Sequence, residues 1–214
     1  MRIETTIRTL YKYDELSNDA KENARDWYRD ASQDDNFYAE SIYEDAANIA
    51  DLFGLNIRTR PAKRMDGSTT YEPSIYYSGF YSQGDGACYE GNYQYKPGAL
   101  KAVKDYAPKD EELHRIAKVL QDAQQKHFYK LRATTKQRGY YYHSGCMDVD
   151  VWHEDDQYRD LRGADDDIRD TLRSFADWIY SRLEAEYELL MSDDTVEENI
   201  VANEYEFTES GHIA

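Results

Sequence analysis

The spacing of hydrophobic positions changes from segment to segment along the chain, and the changes divide it into helices and strands. Ile and Thr alternate with charge over Arg2–Leu10, which reads as a first strand. Ser17 stands where an N-cap hydroxyl is needed, and Ala20, Ala24, Trp27, Tyr28 and Ala31 follow at helical spacing. A second helix is predicted from about Phe37 to Phe53. Its inner face is Ile42, Ala46, Ile49, Ala50 and Phe53, and Gly54 is the left-handed residue that ends it. Leu55–Arg60 alternates as a strand, and residues 61–70, with Pro61 and Asp66-Gly67, read as an exposed loop or hairpin tip.

Two aromatic strands come next, Glu72–Tyr81 and Ala87–Tyr95, joined by the turn Ser82-Gln83-Gly84-Asp85-Gly86. Pro97-Gly98 breaks the chain before a short helix over Ala99–Tyr106. Asp110 to His127 is amphipathic at 3.6-residue spacing, with three acidic residues in its first turn, where the helix dipole favours them. A hairpin is predicted from Tyr129–Lys136 through Gln137-Arg138-Gly139 to Tyr140–Trp152. Tyr129, Leu131, Ala133 and Thr135 share one face of the first strand, and Met147, Val149 and Val151 point one way on the return strand. Folding about Arg138-Gly139 sets Asp150 and Asp148 opposite Lys130 and Arg132 as cross-strand ion pairs.

After a polar stretch, His153–Asp167, the stripe Ile168, Leu172, Phe175, Ala176, Ile179, Leu183, Tyr187 and Leu190 predicts the longest element. It runs over about Asp165–Met191, roughly 40 Å of helix. Ser192 caps a shorter helix carrying Val196 and Ile200, and Glu204–Thr208 alternates as a last edge strand. Hairpins in the middle and helices at both ends argue against a doubly wound parallel sheet. The expected fold is α+β. It has an antiparallel or mixed sheet, amphipathic helices packed mainly on one face, and a long C-terminal helix. No Pro- or Ser-rich linker interrupts residues 1–214, so a single domain is expected.

Composition adds a polarity to this outline. The net charge is −17, yet residues 1–60 carry −5, residues 61–145 carry +4 and residues 146–214 carry −16. An excess of that sign excludes general nucleic-acid binding, which needs clustered Lys and Arg against phosphate. Within the long helix Asp165, Asp166, Asp167, Asp170, Asp177, Glu184 and Glu188 are the candidate partner-binding carboxylates, suited to a basic protein surface. No stretch approaches the roughly 20 apolar residues of a membrane span, and the opening MRIETTIRTL lacks the apolar run of a signal peptide. With two cysteines only, Cys88 and Cys146, free thiols and a cytoplasmic location are expected.

No catalytic motif is recognisable. The loop Ser82–Cys88 lacks the Lys-Ser/Thr ending and the strand-to-helix setting of a phosphate loop. An enzyme would have to use Asp85, Cys88 and His143 as its site, with the thiol and imidazole within about 3 Å. A ligand-sequestering module would use Gln83, Asp85, Lys130, Arg132, Tyr141 and His143, within a wider basic set that includes Lys63, Arg64, Lys136 and Arg138. No His-x-x-x-His or Cys-x-x-Cys pair occurs; Asp148, Asp150 and His153 could bind a hard cation, but surface ion pairing explains the aspartates more simply, and neither metal nor cofactor is expected.

Four segments, YDELSNDAKENARDWY (13–28), SGFYSQGDGACYEGNY (78–93), RGYYYHSGCMDVDV (138–151) and WIYSRLEAEYELLMSDDTVEENIVANEYEFTESG (178–211), resemble a family of phage and prophage proteins of uncertain function. Some members carry a loose label as antitoxins. The resemblance brings no catalytic residues with it. It implies a phage-encoded protein acting in a bacterial cytoplasm on host machinery or host defence; with the acidic surface, the expectation is an accessory protein that binds and neutralises a host-defence or toxin protein without catalysis.

Overall fold

In the computed structural model, which describes residues 8–32, 37–64 and 66–214, the alternating segments pair as antiparallel strands and the 3.6-residue stripes form helices. In chain order the elements are β1 (Tyr11–Lys12), α1 (Asn18–Ser32), α2 (Phe37–Leu52), β2 (Leu55–Ile57), β3 (Thr59–Lys63), β4 (Thr69–Pro73), β5 (Ile75–Ser78), β6 (Gly86–Tyr89), β7 (Gly91–Gln94), α3 (Ala99–Tyr106), α4 (Glu111–Lys126), β8 (Leu131–Gln137), β9 (Met147–His153), α5 (Ala164–Leu190), α6 (Asp193–Ala202) and β10 (Glu206–Phe207). The strand expected over Arg2–Leu10 falls mostly on residues 1–7, outside the described residues, and Arg8–Leu10 form no strand. Contacts divide the chain into a unit of residues 39–184 and a unit of residues 1–38 with 185–214.

In the smaller unit the Ser17 cap forms as its sequence predicts, its Oγ accepting the Ala20 N–H at 3.3 Å. Ser192 does the same for α6, accepting from Thr195 N–H at 3.4 Å. α1 packs on α6 over Tyr13, Leu16, Ala20, Ala24, Val196, Ile200 and Phe207, with Trp27, Tyr28 and Tyr205 around them. Ala31 is exposed, so the apolar stripe of α1 stops a turn before the helix does. Arg25 ties the two helices through Glu197 at 2.6 Å, and β10 pairs with β1 in the register Tyr11↔Phe207.

The larger unit is built on a four-stranded antiparallel sheet in the order β2-β7-β8-β9. Leu55, Tyr93, Leu131, Ala133, Thr135, Met147 and Val149 face the core, whereas Asn56, Asn92, Gln94, Lys136, Asp148 and Asp150 are exposed. One sheet face is therefore covered and the other open, as the alternation requires.

Three strands exchange partners beside this sheet. β2 runs along β7, but its continuation β3 pairs with β4; β4 continues into β5, which pairs with β6, and β6 leads back into β7. The exchange turns on a ring of backbone bonds. Arg58 N–H donates to Glu90 O at 2.8 Å, Ser74 N–H to Arg58 O at 2.6 Å, and Glu90 N–H to Ser74 O at 3.0 Å. Each long strand read from the sequence is consequently interrupted, at Arg58, Ser74 or Glu90, where the main-chain groups bond around the ring instead of continuing a straight ladder.

Helices seal the inner face. Phe175 of α5 is fully buried, meeting Phe53 edge-on at 4.9 Å and Tyr89 at 5.7 Å, and Tyr89 OH donates to Leu172 O at 2.8 Å. Asp110 holds two helices at once: Oδ1 caps α4 at Leu113 N–H (3.0 Å) and Oδ2 accepts the Trp178 indole N–H (2.9 Å). Gly54 ends α2 at φ 87°, where a Cβ would lie 2.1 Å from Gln94 O.

The β8–β9 hairpin corrects its predicted register. Lys136 lies opposite Asp148 and Thr134 opposite Asp150, so the pairs expected for Lys130 and Arg132 do not form. Lys130 instead meets Asp155 at 2.6 Å, Arg132 meets Glu154 at 3.2 Å, and Arg138 meets Asp148 at 3.4 Å. The return strand begins at Met147 rather than Tyr140, because residues 138–146 leave the sheet and dock on β5 and β6. Tyr142 stacks on Tyr76 at 5.3 Å, and the absent side chain of Gly86 admits the His143 main chain.

Candidate functional site

α5 presents the acidic residues singled out from the sequence. Its buried stripe places Ile168, Leu172, Phe175, Ile179 and Leu183 inward, which turns Asp166, Asp167, Asp170 and Asp177 to solvent and leaves Asp165 and Glu184 half-buried. Asp165 and Asp166 are neutralised locally by Arg169, at 3.6 Å for the first and in a closer contact for the second. Among the described residues Asp167, Asp170, Asp177 and Glu184 make no ion pair. Asp170, Asp177 and Glu184 recur every seven residues, which puts them on one side of the helix about 10 Å apart. Glu188 is exposed on the part of α5 that belongs to the smaller unit.

The expected ligand set is split. Gln83, Asp85, Tyr141 and His143 lie where the β5–β6 loop meets residues 138–146, with Tyr141 against Gly84 and His143 against Gly86. Asp85 is consumed by its own turn, its Oδ2 accepting Tyr81 N–H at 2.9 Å and Ser82 N–H at 2.6 Å. His143 Nδ1 likewise accepts Gly145 N–H at 2.9 Å. Lys130 and Arg132 stand at the far end of β8, about six residues or roughly 20 Å of strand away, and both are paired with carboxylates.

The Asp85, Cys88 and His143 combination fares no better chemically. Cys88 is fully buried on β6, and desolvation pushes its thiol up to about 12, so it stays protonated and out of reach of a substrate. Asp148 and Asp150 lie on the open sheet face whereas His153 is buried on the inner one, and among the described residues no cluster of three or more His, Cys, Asp or Glu is spaced to hold a metal ion.

One set of side chains had escaped the sequence reading. Lys126, His127, Arg159 and Arg162 converge on a cleft at the start of α5. Their only advance signal is a pair of arginines three residues apart within an acidic stretch, just ahead of a helix. No helix of the described residues is long and apolar enough to cross a membrane. No curated protein and no solved structure matches the chain. A family model described as a domain of unknown function, DUF8835, matches residues 38–193, which takes in the open sheet, the acidic helix and the cleft. The chain belongs to the DUF8835 family.

Proposed function

We propose that this chain is a non-catalytic binding protein that holds a basic partner protein against the carboxylate face of α5. The observation that carries the reading is an imbalance of pairing. Lys130, Arg132 and Arg138 are neutralised by carboxylates of the same chain, while among the described residues Asp167, Asp170, Asp177 and Glu184, like the cations Lys63, Arg64 and Lys136, make no ion pair. Part of the excess charge is thus displayed along one helix, beside exposed carboxylates elsewhere such as Asp14, Asp19 and Asp150.

The spacing suits docking. Carboxylates about 10 Å apart sit roughly one Debye length from one another at physiological ionic strength, so they repel one another little. Each can still draw a separate Lys or Arg of a partner at contact distance, and the summed field speeds the encounter. The resemblance to phage and prophage proteins supports a partner among host-defence or toxin proteins, neutralised by occlusion of its basic surface. The two free thiols, Cys88 and Cys146, suit the reducing cytoplasm in which that would happen.

The test is affinity capture from bacterial host cells with the full chain and with an Asp170→Lys/Asp177→Lys/Glu184→Lys variant as bait. A protein retained by the first and lost from the second supports the reading. Equal retention of the same proteins by both overturns it.

A further inference from the structure

The cleft at the start of α5 has about 620 Å³ and is lined by Lys126, His127, Phe128, Arg159, Arg162 and Asp167 among others. We propose that it binds the phosphate group of a small phosphate monoester. This inference is independent of the acidic face and rests on four features of the cleft.

The first is charge. In a chain of net charge −17, Lys126, Arg159 and Arg162 make no ion pair among the described residues. The Arg159 guanidinium reaches His153 Nε2 at 3.3 Å and no carboxylate. Guanidinium forks match phosphoryl oxygens in geometry as well as sign. The second is His127. It lines the cleft, is 7 % exposed, and its Nδ1 is buried without a hydrogen-bond partner. The ring forms part of the cleft wall, so a ligand seated in the cleft changes its surroundings.

The third feature is the helix end. Ala164 N–H donates to Leu161 O and Asp167 N–H to Gly163 O, whereas the N–H groups of Asp165 and Asp166 make no bond among the described residues. Free first-turn amides and the helix dipole favour an anion near this helix end, of which Ala164 and Asp167 line the cleft while Asp165 and Asp166 do not. The fourth is the rim, where Phe128 is 74 % exposed and offers a flat apolar surface to whatever the phosphate is attached to.

Two carboxylates also line the cleft, Asp160 and Asp167. Asp160 is held in place by the Arg162 N–H at 2.9 Å. They repel an anion, so the three cations are needed before one can be held. A phosphate monoester also fits His127 better than sulfate does. Its second ionisation lies near pH 6, so it can donate a proton to a neutral ring or accept from a charged one. Burial first, then Arg159, His153 and Arg162, hold the ring below its ordinary value, while the Leu161 carbonyl pulls the other way. An anion among those cations relieves their effect and lifts the His127 titration.

The experiment follows the His127 imidazole by NMR while inorganic phosphate, adenosine monophosphate or sulfate is added to the full chain. The expected result is a saturable shift with phosphate, weaker or absent with sulfate, and an upward move of the His127 titration when phosphate is bound. Arg162→Gln, whose side chain makes no internal bond, should weaken phosphate about tenfold. Asp160→Asn/Asp167→Asn should tighten it several-fold. Tighter binding of the nucleotide, lost in Phe128→Ala, identifies a nucleotide as the source; equal affinities identify an ester without a base. The proposal is overturned if phosphate gives no saturable change up to about 50 mM. A sulfate response equal to that of phosphate, or a response that Arg162→Gln leaves unchanged, also overturns it.

Discussion

Gln124 is a polar side chain with no exposure at all, and removing it should be among the costliest single changes in the larger unit. β7 pairs with β8 only as far as Gln94↔Arg132, so Leu131 has no strand neighbour on that side. The Gln124 amide takes the neighbour's place: Oε1 accepts Leu131 N–H at 3.0 Å, and Nε2 donates to Leu131 O at 2.8 Å. Leu131 is itself fully buried, so neither main-chain group can turn to water. Gln124→Leu keeps the volume and orphans both. At about 1–3 kcal/mol for each unsatisfied group, less about 1–2 kcal/mol recovered by the apolar side chain, the net loss is roughly 1–4 kcal/mol. With a urea slope of about 2 kcal/mol/M, the unfolding midpoint should fall by about 0.5–2 M. Gln124→Glu keeps the acceptor but loses the donor and buries a charge, and should cost at least as much at neutral pH. The Gln124 main-chain carbonyl, which the leucine variant keeps, receives Tyr129 N–H at 2.8 Å and His127 N–H at 3.0 Å and closes the turn that carries His127 and Phe128. A loss below about 0.5 kcal/mol by urea denaturation would refute the reasoning, since that is the scale of an ordinary surface substitution.

Three further outcomes are expected. In the native chain a thiol reagent near pH 8 should label Cys146, which is half-exposed, and spare Cys88 until the protein is denatured. The thiol of Cys88 is raised from 9 to about 12 and the phenol of Tyr13 from 10 to about 12, both mainly by burial, so the folded state retains protons that the unfolded state releases. Their contribution to stability is complete below about pH 9 and is lost between about pH 9 and 12, so a thermal midpoint that rises across that range would contradict these assignments. Gly86→Ala should loosen residues 138–146, because the new Cβ would lie 2.3 Å from His143 Cβ and 2.9 Å from its Cα, with main chain that cannot swing aside. Overpacking of that kind costs about 1–3 kcal/mol, measurable by denaturation together with faster proteolysis of the loop.

Local signals carried much of the fold. The stripe from Ile168 to Leu190 became α5 within a residue of its predicted ends, and Ser17 and Ser192 cap the helices they precede. What escaped the sequence is non-local. Nothing in the residue types of Arg58, Ser74 and Glu90 announces that their main chains close a ring, since any residue with an N–H and a C=O can do so. The register of β9 was misread because Tyr140, Tyr141 and Tyr142 have strand composition, yet Tyr142 is engaged in stacking on Tyr76. The acidic face was legible because exposure on an amphipathic helix follows from the apolar stripe alone. The cleft was not, because residues 126–128 and 159–167 are brought together only by the sheet between them.

The most direct test of the proposed function is the salt dependence of binding between the full chain and the partner recovered by capture, measured beside the triple lysine variant. Exposed charge pairs of about 0.5–1 kcal/mol each, turned from attraction to repulsion at three positions, predict a loss of about a hundredfold or more in affinity at low salt. The wild-type affinity should fall steeply from low to physiological salt, and the variant should lose that slope. An affinity that is insensitive to salt and equal in the two proteins would contradict the assignment of the α5 carboxylates as the binding face.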